Sequence, residues 1–189
     1  MNSKLKTNLF VSLILVALML PFNACDGQIT GDGDKGTHVN DPDGIQWVSF
    51  EEAVKLAEKS PKKIFIDVYT TWCGWCKKMD ASTFKDPEVI KFINANYYPV
   101  KLNAETKDTI RFRDKEFKFI PEYKANELAI SLLGGKMGYP SYVLLDEQFA
   151  LLTQPVQSYL TKEDLLPLIT FYGSNFYKTE TWEEYSKKK

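Results

Sequence analysis

The stretch from Ile64 to Met79 restricts the possible fold more than any other part of this 189-residue chain. Ile64-Phe65-Ile66-Asp67-Val68-Tyr69 is a short β-favouring run, apolar on both faces except at Asp67, as a central strand covered on both sides requires. It passes through Thr70-Thr71-Trp72 straight into Cys73-Gly74-Trp75-Cys76-Lys77-Lys78-Met79, which predicts a helix with both sulfurs in its first turn and on one face. Unpaired amides and the positive end of the dipole at a helix start favour a thiolate at Cys73, making it a nucleophile near neutral pH. Cys76 is then the resolving thiol.

Other readings of this cysteine pair are weaker. So short a disulfide loop restrains little chain entropy, which argues against a purely structural bridge. A structural zinc normally takes four protein ligands, and residues 45–173 hold no further cysteine or histidine. The single histidine, His38, lies far upstream and is read as a solvated linker residue, so a Cys-His hydrolase pair is not expected.

The flanking sequence builds a single α/β domain. Ser49-Phe50-Glu51-Glu52 has the form of a capping box, followed by an apolar stripe at Phe50, Ala53, Val54, Leu56 and Ala57 that ends before Pro61. Asp86 and Pro87 mark a helix start, Val89, Ile90, Phe92 and Ile93 give it an apolar face, and a strand is expected over residues 97–102. Residues 141–146 and 150–154 read as two strands around Glu147-Gln148, and residues 162–172 as a closing helix, giving the order βαβ, then ββα. Between them, Ile110 to Arg113 and Glu116 to Phe119 alternate like a hairpin around Asp114-Lys115. Residues 126–133 resemble a short helix stopped by Gly134-Gly135.

The amino-terminal residues form a separate signal. Lys4 and Lys6 precede an apolar run from Leu9 to Leu20 closed by Pro21, shorter than the roughly 20 apolar residues of a membrane-spanning helix, so export with cleavage is expected. Ala24-Cys25 resembles a bacterial lipoprotein processing site, with Cys25 as the lipidated residue; simple cleavage after Ala24, leaving a free thiol, is the alternative. Lipidation accounts for the odd cysteine, because it leaves Cys73 and Cys76 as a closed pair. Residues 26–44 are rich in Gly and Asp and read as a flexible tether, and the calcium-loop pattern beginning at Asp32 fails at Gly36 and Asp43. With 24 Lys+Arg against 25 Asp+Glu the chain creates no field that would gather nucleic acid.

Asp67, Trp72-Cys73-Gly74-Trp75-Cys76, Lys101 and Tyr139-Pro140 stand in the order and context of the thioredoxin superfamily, which the chain resembles over roughly residues 45–172. The resemblance implies a central mixed β-sheet flanked by helices, with an insertion over about residues 104–138 before a cis-proline, and a carboxy-terminal extension over residues 174–189. It implies that Asp67 is a buried acid exchanging a proton with the resolving thiol. Lys101 on the next strand is either a charge that tunes Asp67 or an exposed strand lysine. The Tyr139-Pro140 bond is expected cis, with the Tyr139 backbone docking a substrate chain and Trp72, Gly74 and Trp75 lining the same groove, unless the tryptophans are only rim packing. Trp75 stands where thioredoxin has proline, and residues 103–138 are longer than its connection there, which opens the question of substrate and potential. The insertion is expected to form a rim over the site, and the aromatics of the extension to cover a core edge or to bind a partner.

The expected activity is dithiol-disulfide exchange with protein substrates outside the cytoplasm, by a membrane-tethered protein recharged by a redox partner and needing no organic cofactor. The rival is a peptide-binding or chaperone-like module that uses the aromatic rim.

Overall fold

The computed structural model describes residues 41–188. Helix α1 (Phe50–Lys59) begins where Ser49 accepts the Glu52 amide, and its buried stripe is Phe50, Ala53, Val54 and Ala57. The central strand β1 (Lys63–Tyr69) is followed by α2 (Gly74–Ala81), a single 3₁₀ turn at Thr83–Lys85, and α3 (Pro87–Asn96), which Asp86 caps by accepting the amides of Glu88 and Val89. Strand β2 (Tyr97–Asn103) returns parallel to β1. After the segment described next come β7 (Ser141–Leu145), β8 (Val156–Gln157) and α5 (Lys162–Gly173). The sheet order is β2-β1-β7-β8, with β7 antiparallel to both of its neighbours.

Alternation along β1 divides the core. Ile64, Ile66 and Val68 face one layer with α1, while Phe65 joins Met79 of α2, Val89 and Ile93 of α3 and Leu165 and Ile169 of α5 in the other. Asp67 shares the parity of Phe65, so its carboxyl is carried to the α2 side of the sheet.

Residues 104–138 form β3 (Ile110–Phe112), β4 (Lys115–Phe117), β5 (Phe119–Ile120), β6 (Ala125–Asn126) and α4 (Glu127–Leu132). This segment supplies a structural layer: Ile110, Phe117, Leu128, Ala129 and Leu133 enter the α1-side core, and Phe112 packs edge-on against Phe50 at 5.6 Å. The hairpin turns at Arg113-Asp114, one residue earlier than the alternation predicts, because Arg113 takes the left-handed conformation (φ 53°) that closes the turn. The pairing of β5 with β6 has no signature in the sequence. Helix α4 ends as expected at Gly134 and Gly135, whose positive φ values of 59° and 77° let their amides reach back to Ser131 and Ile130.

Two further boundaries differ from the sequence reading. The strand expected over residues 150–154 shrinks to a bridge between Leu151 and Leu145, and regular pairing with β7 resumes only at Val156. Asp146 accepts the amides of Gln148 and Ala150, Phe149 sits at φ 69°, and Pro155 has no amide to donate, so the ladder is interrupted. At the other end, ordered contacts begin before Ile45: Asp41 accepts the Gly44 amide and pairs with Lys85 at 3.0 Å.

The carboxy-terminal residues fold back on α5. A 3₁₀ turn at Phe176–Lys178 and α6 (Trp182–Ser186) bury Tyr185 against Phe171 and Phe176, with ring centroids 5.1 Å apart in each case. Lys63, itself buried, bonds Glu147 at 2.8 Å and Asn175 at 2.9 Å, which ties this segment to the start of β1.

Candidate active site

Strand β1 ends at Tyr69, and the Cys73 amide then donates to the Thr70 carbonyl at 3.2 Å, turning the chain into α2. Cys73 is the N-cap of that helix, in extended conformation, and its Sγ accepts the Cys76 amide at 3.1 Å. Cys73 and Cys76 form a disulfide with Cα atoms 5.3 Å apart. Once that bond opens, the amide and the helix dipole act on the sulfur of Cys73.

The disulfide is recessed, with Cys73 and Cys76 exposed by only 4% and 2%, while Trp72 and Trp75 are exposed by 66% and 55%. The Trp72 indole donates to Glu105 Oε1 at 3.0 Å and meets the Tyr139 ring edge-on at 5.9 Å. The Tyr139-Pro140 peptide is cis. Trp75 lies 5.4 Å from the Tyr159 ring, and the Lys78 ammonium stands over both, 4.9 Å and 4.7 Å from their centroids. A Cβ at Gly74 would meet nothing within 4 Å, so space does not demand glycine there.

Between β1, β2 and α2 lies a charge cluster with a buried core. Asp67 is 1% exposed. The register pairs Asp67 with Lys101 on β2 and with Tyr142 on β7. Lys101 Nζ lies 2.7 Å from Asp67 Oδ2 and also donates a hydrogen bond to Asp80 Oδ1, bridging the two carboxylates. Burial pushes the Asp67 acid above the usual carboxylate range; the Lys101 charge draws it part of the way back, and the negative charge of Asp80 opposes that return. Burial alone would lower the Lys101 pKa, but Asp67 and Asp80 outweigh it and hold Lys101 above its ordinary value. The Lys101 ammonium is enclosed by the rings of Trp47, Tyr69 and Phe84, at 5.0, 5.2 and 5.2 Å. Lys101 is therefore no exposed strand lysine. The Tyr142 hydroxyl is buried without a hydrogen-bond partner among the described residues, and burial first, then the Asp67 and Asp80 charges, pushes its pKa far above the ordinary value.

Sequence reasoning missed Asp80, Trp47, Glu105, Tyr142 and Tyr159. Asp80 was open to detection, because it stands four residues after Cys76 on the same face of α2. The other four reach the site through tertiary packing. Cys25, His38 and most of the tether lie outside the described residues. Among those described, no group of three or more His, Cys, Asp or Glu side chains is arranged to hold a metal ion.

A family model described as Thioredox_DsbH, protein of unknown function DUF255, matches residues 36–164, a span that contains the disulfide, Asp67, Lys101 and the cis-proline. The chain belongs to the Thioredox_DsbH family. Solved structures place its fold among thioredoxins. A thioredoxin-fold protein from Helicobacter pylori aligns with a TM-score of 0.58 at 16% identity, over 82% of this chain and 92% of that one. A thioredoxin from Thermus thermophilus aligns with a TM-score of 0.51 at 15% identity, over 68% and 87%. A candidate disulphide-isomerase from Bacteroides thetaiotaomicron aligns with a TM-score of 0.51 at 25% identity, over 74% and 98%. By sequence, this Thioredox_DsbH chain is 33% identical over 63 residues to an uncharacterized protein of Archaeoglobus fulgidus, covering 33% of this chain and 50% of that one. It is 28% identical over 74 residues to spermatogenesis-associated protein 20 of Rattus norvegicus, covering 39% of this chain and 9% of that one. The matches thus span half or less of these relatives' lengths.

Proposed function

We propose that this protein is a thiol-disulfide oxidoreductase acting on protein substrates outside the cytoplasm. The observation that carries the reading is the disulfide at the N-cap of α2, with the Cys76 amide on the Cys73 sulfur and a buried acid on the strand that leads into it. In the reducing direction the Cys73 thiolate attacks one sulfur of a substrate disulfide, and the other leaves as a thiolate. Asp67 takes the proton from the Cys76 thiol, and Cys76 then attacks the Cys73 sulfur, releasing the reduced substrate and restoring the Cys73–Cys76 disulfide. A dithiol donor must recharge the pair by the reverse exchange. The cis peptide at Pro140 and the Tyr139 backbone before it form the docking edge for an extended substrate chain, with Trp72, Gly74 and Trp75 along the same groove. The candidate disulphide-isomerase of similar fold and the family assignment support this reading.

Export and attachment through a lipid on Cys25 belong to the same proposal, motivated by the amino-terminal signal pattern. No helix among the described residues is long and apolar enough to cross a membrane. Labelled fatty acid is expected to enter the wild-type chain and not Cys25→Ala; label in neither would end the anchor proposal.

The central test is trapping with a peptide disulfide. Cys76→Ser should accumulate a mixed disulfide through Cys73, Cys73→Ser should accumulate none, and the wild type should turn over. A wild-type protein that neither reduces nor oxidises any dithiol couple would sink the enzymatic reading. The exposure of Trp72 and Trp75 favours a second reading, a peptide-binding module. Peptide holding that survives loss of both cysteines would select it.

A further inference from the structure

The Lys101 ammonium has three N–H donors and two carboxylates within contact. It donates a hydrogen bond to Asp80 on α2 and pairs with the buried acid Asp67 at 2.7 Å, so one ammonium bridges both carboxylates. The side chain of Asp80 is 47% exposed, that of Lys101 10% and that of Asp67 1%, so the three charges run from solvent to core. The aromatic walls from Trp47, Tyr69 and Phe84 hold the ammonium in that line.

We propose that Asp80 is a positioning residue: by sharing the Lys101 ammonium it keeps that cation from serving Asp67 alone, and so tunes proton exchange between Asp67 and the cysteine pair. The role follows from competition for one cation. A carboxylate that receives a charge-assisted hydrogen bond from an ammonium is stabilised in its ionised form, and Asp67 would then exchange protons with Cys76 poorly. With Asp80 in place the ammonium is shared, and its neutralising charge is divided between a residue that solvent also stabilises and one that solvent does not reach. The charged and titratable groups acting on Asp67 are Lys101 from β2 and Asp80 from α2, with Tyr142 of β7 beside it in the register. Of these, Asp80 competes with Asp67 for the lysine. Its place four residues after Cys76 puts it one helical turn beyond the resolving sulfur.

The inference rests on the proposed exchange activity, and its test separates the two. The Asp67 carboxyl is followed by carbon NMR across pH in the oxidised full chain, a measurement that needs no turnover. Asp80→Asn is expected to lower the Asp67 midpoint by about one pH unit, as loss of a nearby like charge and release of a paired cation require. Asp80→Glu, which keeps the competitor, is expected to stay near the wild type. In a Lys101→Met background the Asp80→Asn shift should shrink, since the shared cation is gone. The pH profile of disulfide reduction by dithiothreitol should move to lower pH in Asp80→Asn by the same amount as the NMR midpoint. An unchanged midpoint in Asp80→Asn, or an Asp80→Glu shift as large as that of Asp80→Asn, would overturn the assignment. Failure of all variants and wild type to react with dithiothreitol would count against the exchange activity alone.

Discussion

Burial in a central strand makes an aspartate harder to ionise than in water, and at Asp67 that burial outweighs the attraction of the Lys101 ammonium 2.7 Å away. The sign of its effect on stability follows. The folded-state pKa is raised above the unfolded value, so the folded protein binds this proton more tightly than the unfolded chain does. Stability attributable to Asp67 is greatest below the ordinary carboxylate range and declines as pH rises through the raised folded-state value. Asp67→Asn should remove that decline: in thermal denaturation of the oxidised protein, the variant gains on the wild type between pH 4 and pH 8. A constant difference across this range would show that the carboxyl does not titrate as described. The same substitution should slow resolution of the mixed disulfide by about 100-fold near neutral pH, the usual scale for loss of a positioned acid or base. Stopped-flow reduction by dithiothreitol reads the reverse of that step, in which Cys76 leaves and takes up the proton, and should slow by the same factor. Asp67 and the cysteines were legible as chemistry in the sequence, because each breaks a local pattern: a carboxyl in an apolar run, two thiols at a helix start.

Helix starts hold the next level together. Asp86 caps α3 through the amides of Glu88 and Val89, at 2.9 and 3.2 Å, and pairs with Lys162 at the first turn of α5, at 3.2 Å. Burial alone would raise its pKa, but those amides and the Lys162 charge outweigh it and hold it below the usual range. Its contribution is therefore present above the ordinary carboxylate pKa and is lost as pH falls through the lowered one. Asp86→Ala should cost about 1 kcal/mol in urea denaturation at neutral pH, and the cost should vanish in acid. An equal cost at both pH values would assign the effect to something other than the cap. This helix was readable because its signals lie within a few residues of one another. The strand over residues 150–154 was misread for the opposite reason: alternation was present, but the turn geometry at Phe149 and the missing amide of Pro155 decide where pairing resumes.

Across the whole molecule, the carboxy-terminal segment closes the core end of α5 far from the cysteines in sequence. Tyr185 is 3% exposed and sits among Phe171, Phe176 and Trp182. Tyr185→Ala should lower stability by about 3 kcal/mol, in the range for removing a buried aromatic ring, while leaving the dithiothreitol reaction rate of the folded protein unchanged. A parallel loss of exchange rate would show that the segment also shapes the site. Residues 104–138 teach the complementary lesson, since a segment that alternates and breaks like an appendage supplies one side of the core through Ile110, Phe117 and Leu128. The sequence by itself determined the strand-to-helix cysteine site, the helix caps and the α/β class, because these depend on interactions between residues close along the chain. Only the tertiary structure decided that Asp80 pairs with Lys101, that Trp47 and Phe84 enclose that lysine, and that Trp72 is held by Glu105 and Tyr139. Each of these contacts joins residues from separate elements, and their geometry exists only once the sheet and its two helical layers have packed.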